Sequence, residues 1–317
     1  MTIRPLSFSS LRTVPISERK ADADEHDFGS PYQSGGSLAD FLCSLPNLGA
    51  GGDLFLLRDA IASAHRAGRQ VIVGCGGHVM DSGLSPLLAK LIEQKVVTGV
   101  ALTGEALLQD VEIAMVGKVL RYRDQDLRDG RFCMTEETGR LINDAINMGA
   151  TENWGVGKSV GSKLVDAELP HLEHSVVATA FRCGVPLAVH PMIGADTFTL
   201  HPQAHGESLG TAAMYDFRLL AGMMAGASGG VIINVSSSVV MPRLFLQAVD
   251  AARNLGKKVE DLTTAVIDPA ASSSSVADIV GRLSQPGGRG VWLSGPDEIL
   301  LPLLFGAVLD SLGGDVD

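Results

Sequence analysis

Short apolar segments that alternate with helix-like segments are the feature that most restricts the fold of this chain. Six segments have the apolar, β-branched composition of buried strands: QVIVGC, VVTGVALTG, VPLAVHP, GGVIINVSS, LTTAVID and RGVWLSG. Between them lie segments with apolar residues at helical spacing, such as EALLQDVEIAMVG and PRLFLQAVDAARNLG. This alternation predicts βαβ units, and therefore an α/β fold with a Rossmann-like parallel sheet flanked by helices.

The first 35 residues differ in character from the rest of the chain. They are polar, contain Pro5, Pro15 and Pro31, and include the acidic stretch ADADEHD. We predict a flexible N-terminal arm over residues 1–35 and one α/β domain over residues 36–317. The glycine-rich stretch ENWGVGKSVGSK, residues 152–163, is predicted to be a long connection, with a substrate-covering loop as the alternative.

The composition excludes several classes of protein. A net charge of −11 without any Lys/Arg-rich block argues against nucleic-acid binding. No apolar run reaches membrane-spanning length. The four cysteines, Cys43, Cys75, Cys133 and Cys183, have no CxxC spacing, so neither a zinc knuckle nor a disulfide framework is indicated. We expect a soluble, cytoplasmic protein with a small-molecule substrate.

The first predicted strand ends in the glycine-rich turn VIVGCGGHVMDSG. The dinucleotide fingerprint requires Gly-x-Gly-x-x-Gly at such a turn, and Gly74 and Gly76 fit it, but Val79 occupies the third glycine position. A helix that starts near Ser85 would still offer free N–H groups to an anion. The turn is therefore either a nucleotide site of different geometry or a purely structural turn.

The second predicted strand also ends in residues suited to ligand binding. Thr103 and Gly104 lie at its end, and the carboxyl ends of strands are where open parallel sheets bind ligands. Asp110 and Glu112 follow on the next helix. Their carboxylates could hold ribose hydroxyls or a cation, or they could be solvated.

Three serines follow the fourth predicted strand in IINVSSSVVMPRLF. Ser236 and Ser237 could donate hydroxyl and backbone hydrogen bonds to a phosphate, or they could cap the helix that begins near Pro242. Because they follow a buried apolar strand, ligand contact is the favoured interpretation.

The segment VHPMIGADTFTLHPQAH contains His190, Asp196, His201 and His205. Three histidines and an aspartate are ligand types that metals use, but their spacing matches no HxH or HExxH pattern. We therefore expect no metal here. Individual histidines are candidates for acid/base or substrate-binding roles.

From about residue 70 to the C-terminus the chain resembles deoxyhypusine synthase and its bacterial homologues. The resemblance rests on GHVMDSGLSPLLAKLIEQKVVTGVALTG, GGVIINVSSSVVMPRLFLQAVDAARNLG and LSGPDEILLPLLF. That family transfers the aminobutyl group of spermidine, a polyamine, to a protein lysine, using NAD and a lysine imine. The resemblance implies an NAD-binding sheet, an N-terminal arm, and a homotetramer with active sites between paired subunits.

The same resemblance places the NAD contacts on particular residues. Carried over by position, they fall at His78, Ser82, Thr103, Gly104, Asp196, Ser236, Ser237 and the loop around Asp297. We complete the predicted cofactor site with Gly76, Gly77 and Asp110 from the strand-end analysis.

The residues that would carry aminobutyl transfer are replaced. Arg282 of VGRL stands where the family has its imine-forming lysine, and an arginine does not lose its proton in a protein. Val280 replaces a tryptophan, Pro242 a histidine, and Thr211 a substrate-binding aspartate. Because spermidine is a multiply charged cation that needs carboxylates, these changes argue against true hypusine formation.

We therefore expect an enzyme that binds NAD or a related nucleotide and acts on a small amine or amino-acid-like substrate without a lysine imine. The candidates for acid/base and substrate-binding roles are His190, Asp196, His201 and Asp216, and Arg282 would anchor an anionic group. Two alternatives stay open. One is a non-catalytic oligomer that binds a nucleotide or metabolite, and the other is a metal-dependent hydrolase built on the three histidines.

Overall fold

The computed structural model describes residues 4–121, 124–130 and 135–313, so Cys133 lies outside the described residues. Six strands form one sheet in which every neighbouring pair is parallel. They are β1 (Val71–Cys75), β2 (Gly99–Thr103), β3 (Leu187–His190), β4 (Val231–Val235), β5 (Thr263–Ile267) and β6 (Arg289–Leu293). Their spatial order is β3-β2-β1-β4-β5-β6, the order of doubly wound dinucleotide-binding folds. The predicted Rossmann-like parallel sheet is confirmed.

Helices precede the sheet and connect its strands. Those of the described residues are α1 (Leu38–Ser44), α2 (Ala50–Arg66), α3 (His78–Asp81), α4 (Ser85–Glu93), α5 (Gly104–Val116), α6 (Asp124–Arg128), α7 (Glu136–Thr151), α8 (Val156–Asp166), α9 (Val176–Cys183), α10 (Gly206–Ala225), α11 (Val240–Asn254), α12 (Ser273–Val276) and α13 (Asp297–Gly313). A π-helical segment, Ala277–Leu283, follows α12.

Two hydrophobic cores lie on opposite faces of the sheet because alternate strand residues point to opposite sides. Val71 and Val73 of β1 belong to the core that also contains residues of α2, α5 and α13. Ile72, between them, belongs to the other core, with residues of α10 and α11. Both faces are covered, which explains why the strands are apolar throughout.

The glycine-rich stretch of residues 152–163 is not the long connection that the sequence predicts. Most of it forms the start of α8, and its glycines are sites of close packing. A Cβ on Gly157 would lie well inside 3.0 Å of the Leu187 carbonyl oxygen in β3, and one on Gly161 would lie 2.8 Å from the Phe181 Cβ in α9. Glycine is needed here for contact between elements.

The start of α4 agrees with the predicted helix near Ser85. Ser85 is its first residue, Leu84 takes the N-cap position, and the short helix α3 fills the turn before it. Ser85 is buried, with 1% of its surface exposed. A buried Ser85 does not favour an anion at this helix start, and the anion site stays a prediction.

The N-terminal segment lies outside both cores. In the described part of the chain, the first buried side chain is Leu42 in α1, and Leu6, Phe8 and Ile16 before it are exposed. The flexible arm and its boundary at residue 35 stay predictions. None of the described helices has the length and apolar character needed to span a membrane.

The direction in which successive strands are added to the sheet reverses between β1 and β4, although all the strands are parallel. The chain builds β1, β2 and β3 toward one edge and then crosses to β4 on the other side of β1. Loops that leave the carboxyl ends of β1 and β4 therefore run to opposite sides and leave a crevice between them.

Candidate functional site

The crevice is narrow at its base because the two loops touch through their backbones. The Gly76 N–H, just after β1, donates to the Val235 carbonyl at 3.0 Å. A Cβ on Gly76 would lie well inside 3.0 Å of the Ser236 carbonyl oxygen, and one on Gly77 would lie 2.7 Å from the Glu105 Cγ. These glycines permit close approach at the point where a Rossmann-like sheet takes a ligand.

Each of the three serines after β4 has a different partner. The Ser236 hydroxyl donates to Asp297 Oδ2 at 2.5 Å, and Ser236 has a φ of 47°, which is uncommon outside glycine. The Ser237 Oγ accepts from the Met241 N–H in the first turn of α11 at 3.3 Å. The Ser238 hydroxyl donates to Asp268 Oδ2 at 2.6 Å. This loop thus connects β4 with the residues that follow β5 and β6.

His78 lies at the mouth of the crevice. Its Nε2 is 3.3 Å from Asp297 Oδ1 and 3.2 Å from the Ser82 hydroxyl. The imidazole is half-exposed, whereas the Asp297 side chain is fully buried. A Ser–His–Asp relay needs both ring nitrogens, one for each partner, and here both contacts are made by Nε2. The three predicted residues are therefore together, but they do not form a nucleophile relay.

The ends of β2 and β3 form a second polar region. Thr103 accepts the Ala106 N–H at 3.2 Å and so caps α5. Asp196 packs against Gly104, where a Cβ would overlap its carboxylate, and its Oδ2 accepts the Met192 N–H at 2.5 Å. Burial raises the pKa of Asp196 above its usual range, against a smaller lowering by backbone hydrogen bonds. The carboxylate lies at the amino end of α5.

Two further carboxylates, Glu105 and Glu112, belong to α5, and a third, Asp81, is the last residue of α3. Burial, with smaller contributions from the charges of Asp81 and Asp196, raises the pKa of Glu105. Burial and Asp81 also raise the pKa of Glu112, although Thr135 donates a hydrogen bond to it. Asp81 Oδ1 is buried without a hydrogen-bond partner. The negative charges of Asp81 and Asp196 thus add to the raised pKa of Glu105, and that of Asp81 adds to the raised pKa of Glu112, so a cation beside them would offset this repulsion.

His190 is the last residue of β3 and is 8% exposed. Its Nε2 is buried and has no hydrogen-bond partner. Burial lowers the pKa of His190 to about 4, so the ring is neutral at pH 7. It can then accept or donate a hydrogen bond to a ligand without carrying charge.

His201 and His205 lie on the chain beyond β3. The His201 Nδ1 accepts the Gln203 N–H at 3.2 Å, and its Nε2 is 3.7 Å from Glu136 Oε2. A Cβ on Gly139 of α7 would lie 2.5 Å from the His201 ring, so the imidazole packs on that helix. His205 is exposed before α10.

Two groups of three side chains with metal-ligand atoms occur among the described residues. They are His78, Asp297 and Glu298 in one group and His171, Glu173 and His174 in the other. His190, His201 and His205 belong to neither group. Among the described residues, the structure therefore gives the metal-dependent hydrolase alternative no ligand group built on these histidines.

Asp110 and Asp216 are predicted site residues to which the structure gives packing roles. Asp110 accepts the Ser175 hydroxyl at 2.5 Å and the Val176 N–H at 2.7 Å, and so holds the start of α9. Neither aspartate has any exposed surface. Burial raises the pKa of Asp110 to about 6, against hydrogen bonds that lower it.

Asp216 of α10 links α8 to the edge strand of the sheet. Its Oδ2 accepts the Gly157 N–H at 3.0 Å and the Val189 N–H at 2.9 Å. Burial raises the pKa of Asp216 to about 7 despite these bonds. The carboxylate satisfies a strand N–H that has no neighbouring strand.

Arg282 does not join the strand-end residues. Its guanidinium is 69% exposed and pairs with Asp278, one turn earlier, at 2.8 Å. The same helical segment packs near the start of two strands: Thr264 of β5 donates to the Ile279 carbonyl at 2.7 Å, and a Cβ on Gly290 of β6 would overlap the Val280 carbonyl oxygen. Arg282 therefore lies near the amino-terminal ends of the strands, on the side of the sheet opposite the crevice. The predicted anion anchor is not in the crevice.

Several polar residues of these sites are not among those predicted from the sequence. They are Asp81, Glu105, Gln109, Asp268 and Glu298. The sequence does contain a pattern that predicts part of this site. Glu105, Gln109 and Glu112 are spaced four and three residues apart, which places three polar side chains on one face of α5. Asp268 immediately follows β5, where a polar residue after an apolar strand is itself a signal.

No family model and no curated protein sequence matches the chain. Solved structures do share its fold, all at low identity. An Entamoeba histolytica protein assigned as a deoxyhypusine synthase is 13% identical with a TM-score of 0.53, and the match covers 89% of this chain and 96% of that one. A Methanococcus maripaludis S2 protein assigned to the LOR/SDH class is 14% identical with a TM-score of 0.54, covering 88% and 72%.

Two larger proteins share the fold over part of their length. AgrE, solved with ornithine and NAD⁺, is 17% identical with a TM-score of 0.52, and the match covers 83% of this chain and 34% of AgrE. ArgZ, a cyanobacterial arginine dihydrolase, is 14% identical with a TM-score of 0.50, covering 81% and 32%. This chain thus spans about a third of their length. Together these structures identify the fold as deoxyhypusine synthase-like.

Proposed function

From a deoxyhypusine synthase-like fold, we propose that the chain binds NAD or a related nucleotide in the crevice between β1 and β4. The observation that carries the proposal is the backbone contact of Gly76 with the Ser236 loop at the base of the crevice, a contact that a Cβ on Gly76 would prevent. The Asp297 carboxylate, fully buried and held by the Ser236 hydroxyl, lies at this contact as an acceptor for a ribose hydroxyl. AgrE, which shares the fold, has been solved with NAD⁺.

The acidic region at the ends of β2 and β3 supports a small amine or amino-acid-like substrate. Burial and the nearby charges of Asp81 and Asp196 raise the pKa of Glu105. An ammonium group bound here would offset the repulsion among these carboxylates. Ornithine, the ligand solved with AgrE, carries such a group. The acids lie beside the glycine turn of β1, because Gly77 contacts Glu105. Substrate and nucleotide would therefore be neighbours.

We assign proton handling to Asp196, Glu105 and His190. The pKa values of Asp196 and Glu105 are raised toward neutral pH, which suits a general base that takes a proton from an ammonium group. His190 is neutral and offers its free Nε2 as a hydrogen-bond donor or acceptor. The nucleotide, when bound, supplies a hydride acceptor. A lysine imine has no part, since Arg282 replaces the lysine and lies at the opposite edge.

A non-catalytic oligomer that binds a nucleotide or metabolite is the second candidate function. The exposed, paired Arg282 favours it, because the position that carries covalent chemistry in the resembled family is inert here. Incubation with NAD⁺ and small amines such as ornithine separates the two functions. Growth of NADH absorbance at 340 nm with any amine supports the enzyme, and binding of NAD⁺ without turnover of the amine panel favours the oligomer.

Titration of NAD⁺ into the full chain by calorimetry tests the nucleotide site. Asp297→Asn should weaken binding about tenfold or more, as expected for loss of a hydrogen bond to a charged group. Arg282→Ala is the control and should leave the affinity unchanged. Unfolding temperatures of all three proteins distinguish a lost contact from a lost fold. Wild-type protein that binds neither NAD⁺ nor NADH at millimolar concentration would refute the proposal.

A further inference from the structure

We propose that His78, Asp297 and Glu298 form a binding site for one divalent transition-metal cation at the mouth of the crevice. The three side chains come from the turn after β1 and from the first two residues of α13. Their nearest ligand atoms all lie within 4.8 Å of one another. One imidazole nitrogen and two carboxylates form a donor set suited to Zn²⁺ or Mn²⁺.

The buried carboxylate gives the strongest reason to place a cation here. Asp297 has no exposed surface, and its Oδ1 accepts no hydrogen bond although His78 Nε2 lies 3.3 Å away. A buried carboxylate oxygen without a donor is costly unless a positive charge faces it. Glu298 adds a second carboxylate beside it, so the site lacks positive charge that a divalent ion would supply.

The geometry suits coordination without rearrangement of the fold. With metal–ligand bonds of about 2.1 Å, a separation of 3.3 Å between Nε2 and Oδ1 corresponds to an angle of about 104° at the metal, near tetrahedral. Ser236 donates to the other oxygen, Oδ2, and fixes the carboxylate as outer-shell groups do in metal sites. Glu298 and His78 are exposed, so they can close the remaining distance by side-chain rotation.

The second group of ligand types lacks these features and serves as an internal control. His171, Glu173 and His174 lie at one 3₁₀ turn, where Glu173 is exposed and the two half-buried imidazoles stack with centroids 6.3 Å apart. Among the atoms that are buried without a partner, none belongs to that turn. We therefore expect weak binding there and assign the specific site to the crevice.

The test uses the full chain without a histidine tag, freed of metal with a chelator and titrated with Zn²⁺ and Mn²⁺ by calorimetry. Wild type should bind one equivalent of each ion. His78→Ala and Glu298→Gln should each weaken binding about tenfold or more, the size of effect that outer-shell changes already produce. His174→Ala, the matched control, should bind as wild type does.

Both test variants change exposed side chains, so the fold should persist, and thermal unfolding without metal verifies this. A visible absorption band of bound Co²⁺ that disappears in His78→Ala would support direct ligation by the imidazole. The proposal is overturned if wild type binds neither ion, if His78→Ala binds with unchanged affinity, or if only His174→Ala loses the ion. The probe is the metal alone, so the result is independent of nucleotide binding.

Discussion

Replacement of Gly76 by alanine tests the central feature of the crevice, the backbone contact between the loops after β1 and β4. The added Cβ would lie well inside 3.0 Å of the Ser236 carbonyl oxygen and 2.9 Å from its carbonyl carbon. Because backbone atoms cannot rotate away as a side chain can, the Ser236 loop would have to move by about 1 Å. That loop also holds Asp297 through the Ser236 hydroxyl.

The loss of folding free energy in Gly76→Ala follows from the crowding that the added methyl group causes. Overpacking by one methyl group costs about 1–3 kcal/mol, and Gly76 is not in a helix, so alanine brings no helix-propensity gain to offset it. We expect Gly76→Ala to lower the free energy of unfolding by about 2 kcal/mol. We also expect weaker NAD⁺ binding, because the displaced loop carries Ser236 and Ser237.

Gly222→Ala is the matched control for this exchange. Gly222 lies on α10, its Cβ would meet no atom within 4 Å, and its position in a helix favours alanine by about 0.5–1 kcal/mol. Denaturant unfolding followed by circular dichroism gives both stabilities, and calorimetry gives the NAD⁺ affinities. If Gly76→Ala is as stable as wild type and binds NAD⁺ equally well, the close-approach argument is refuted.

Two further predictions concern the packing of α8. Gly157→Ala should lower the free energy of unfolding by about 1–3 kcal/mol, because its Cβ would press on the Leu187 carbonyl; unchanged denaturation would contradict this. The pKa of Asp216 is raised from 3.8 to about 7, so between these pH values the folded state keeps a proton that the unfolded state releases. The stability that this bound proton contributes is therefore lost as the pH rises from about 4 to about 7. Asp216→Asn should therefore lose less stability than wild type between pH 5 and pH 7, by about 2 kcal/mol, and parallel pH curves for the two proteins would rule out the assignment.

The strands of this fold were predictable because their signal is local. A segment such as VIINV is apolar throughout and bounded by glycines and serines, which identifies a strand buried on both faces before any partner is known. Helical spacing between such strands then predicts a parallel sheet. The strand-end residues Gly76, Thr103 and Ser236 were predicted for the same reason.

The glycines of α8 show where local patterns fail. Glycine favours loops by its own propensity, so ENWGVGKSVGSK was interpreted as a connection. Only the contacts of Gly157 with Leu187 and of Gly161 with Phe181 reveal why glycine is tolerated in this helix. Likewise, Asp110 and Asp216 look like site acids in sequence, and only their hydrogen bonds to helix starts show that they hold elements together.

The sequence by itself determined the sheet, the helices that cover it, and the strand ends as the place to look for a ligand. The tertiary structure decided which of those residues meet. His78 and Asp297 are separated by 219 positions (297 − 78), yet their side chains lie 3.3 Å apart, whereas Arg282 is carried to the opposite edge. The physical reason is that hydrophobic periodicity is encoded over a few neighbouring residues, while a polar site is assembled by strand order, which depends on the packing of the whole chain.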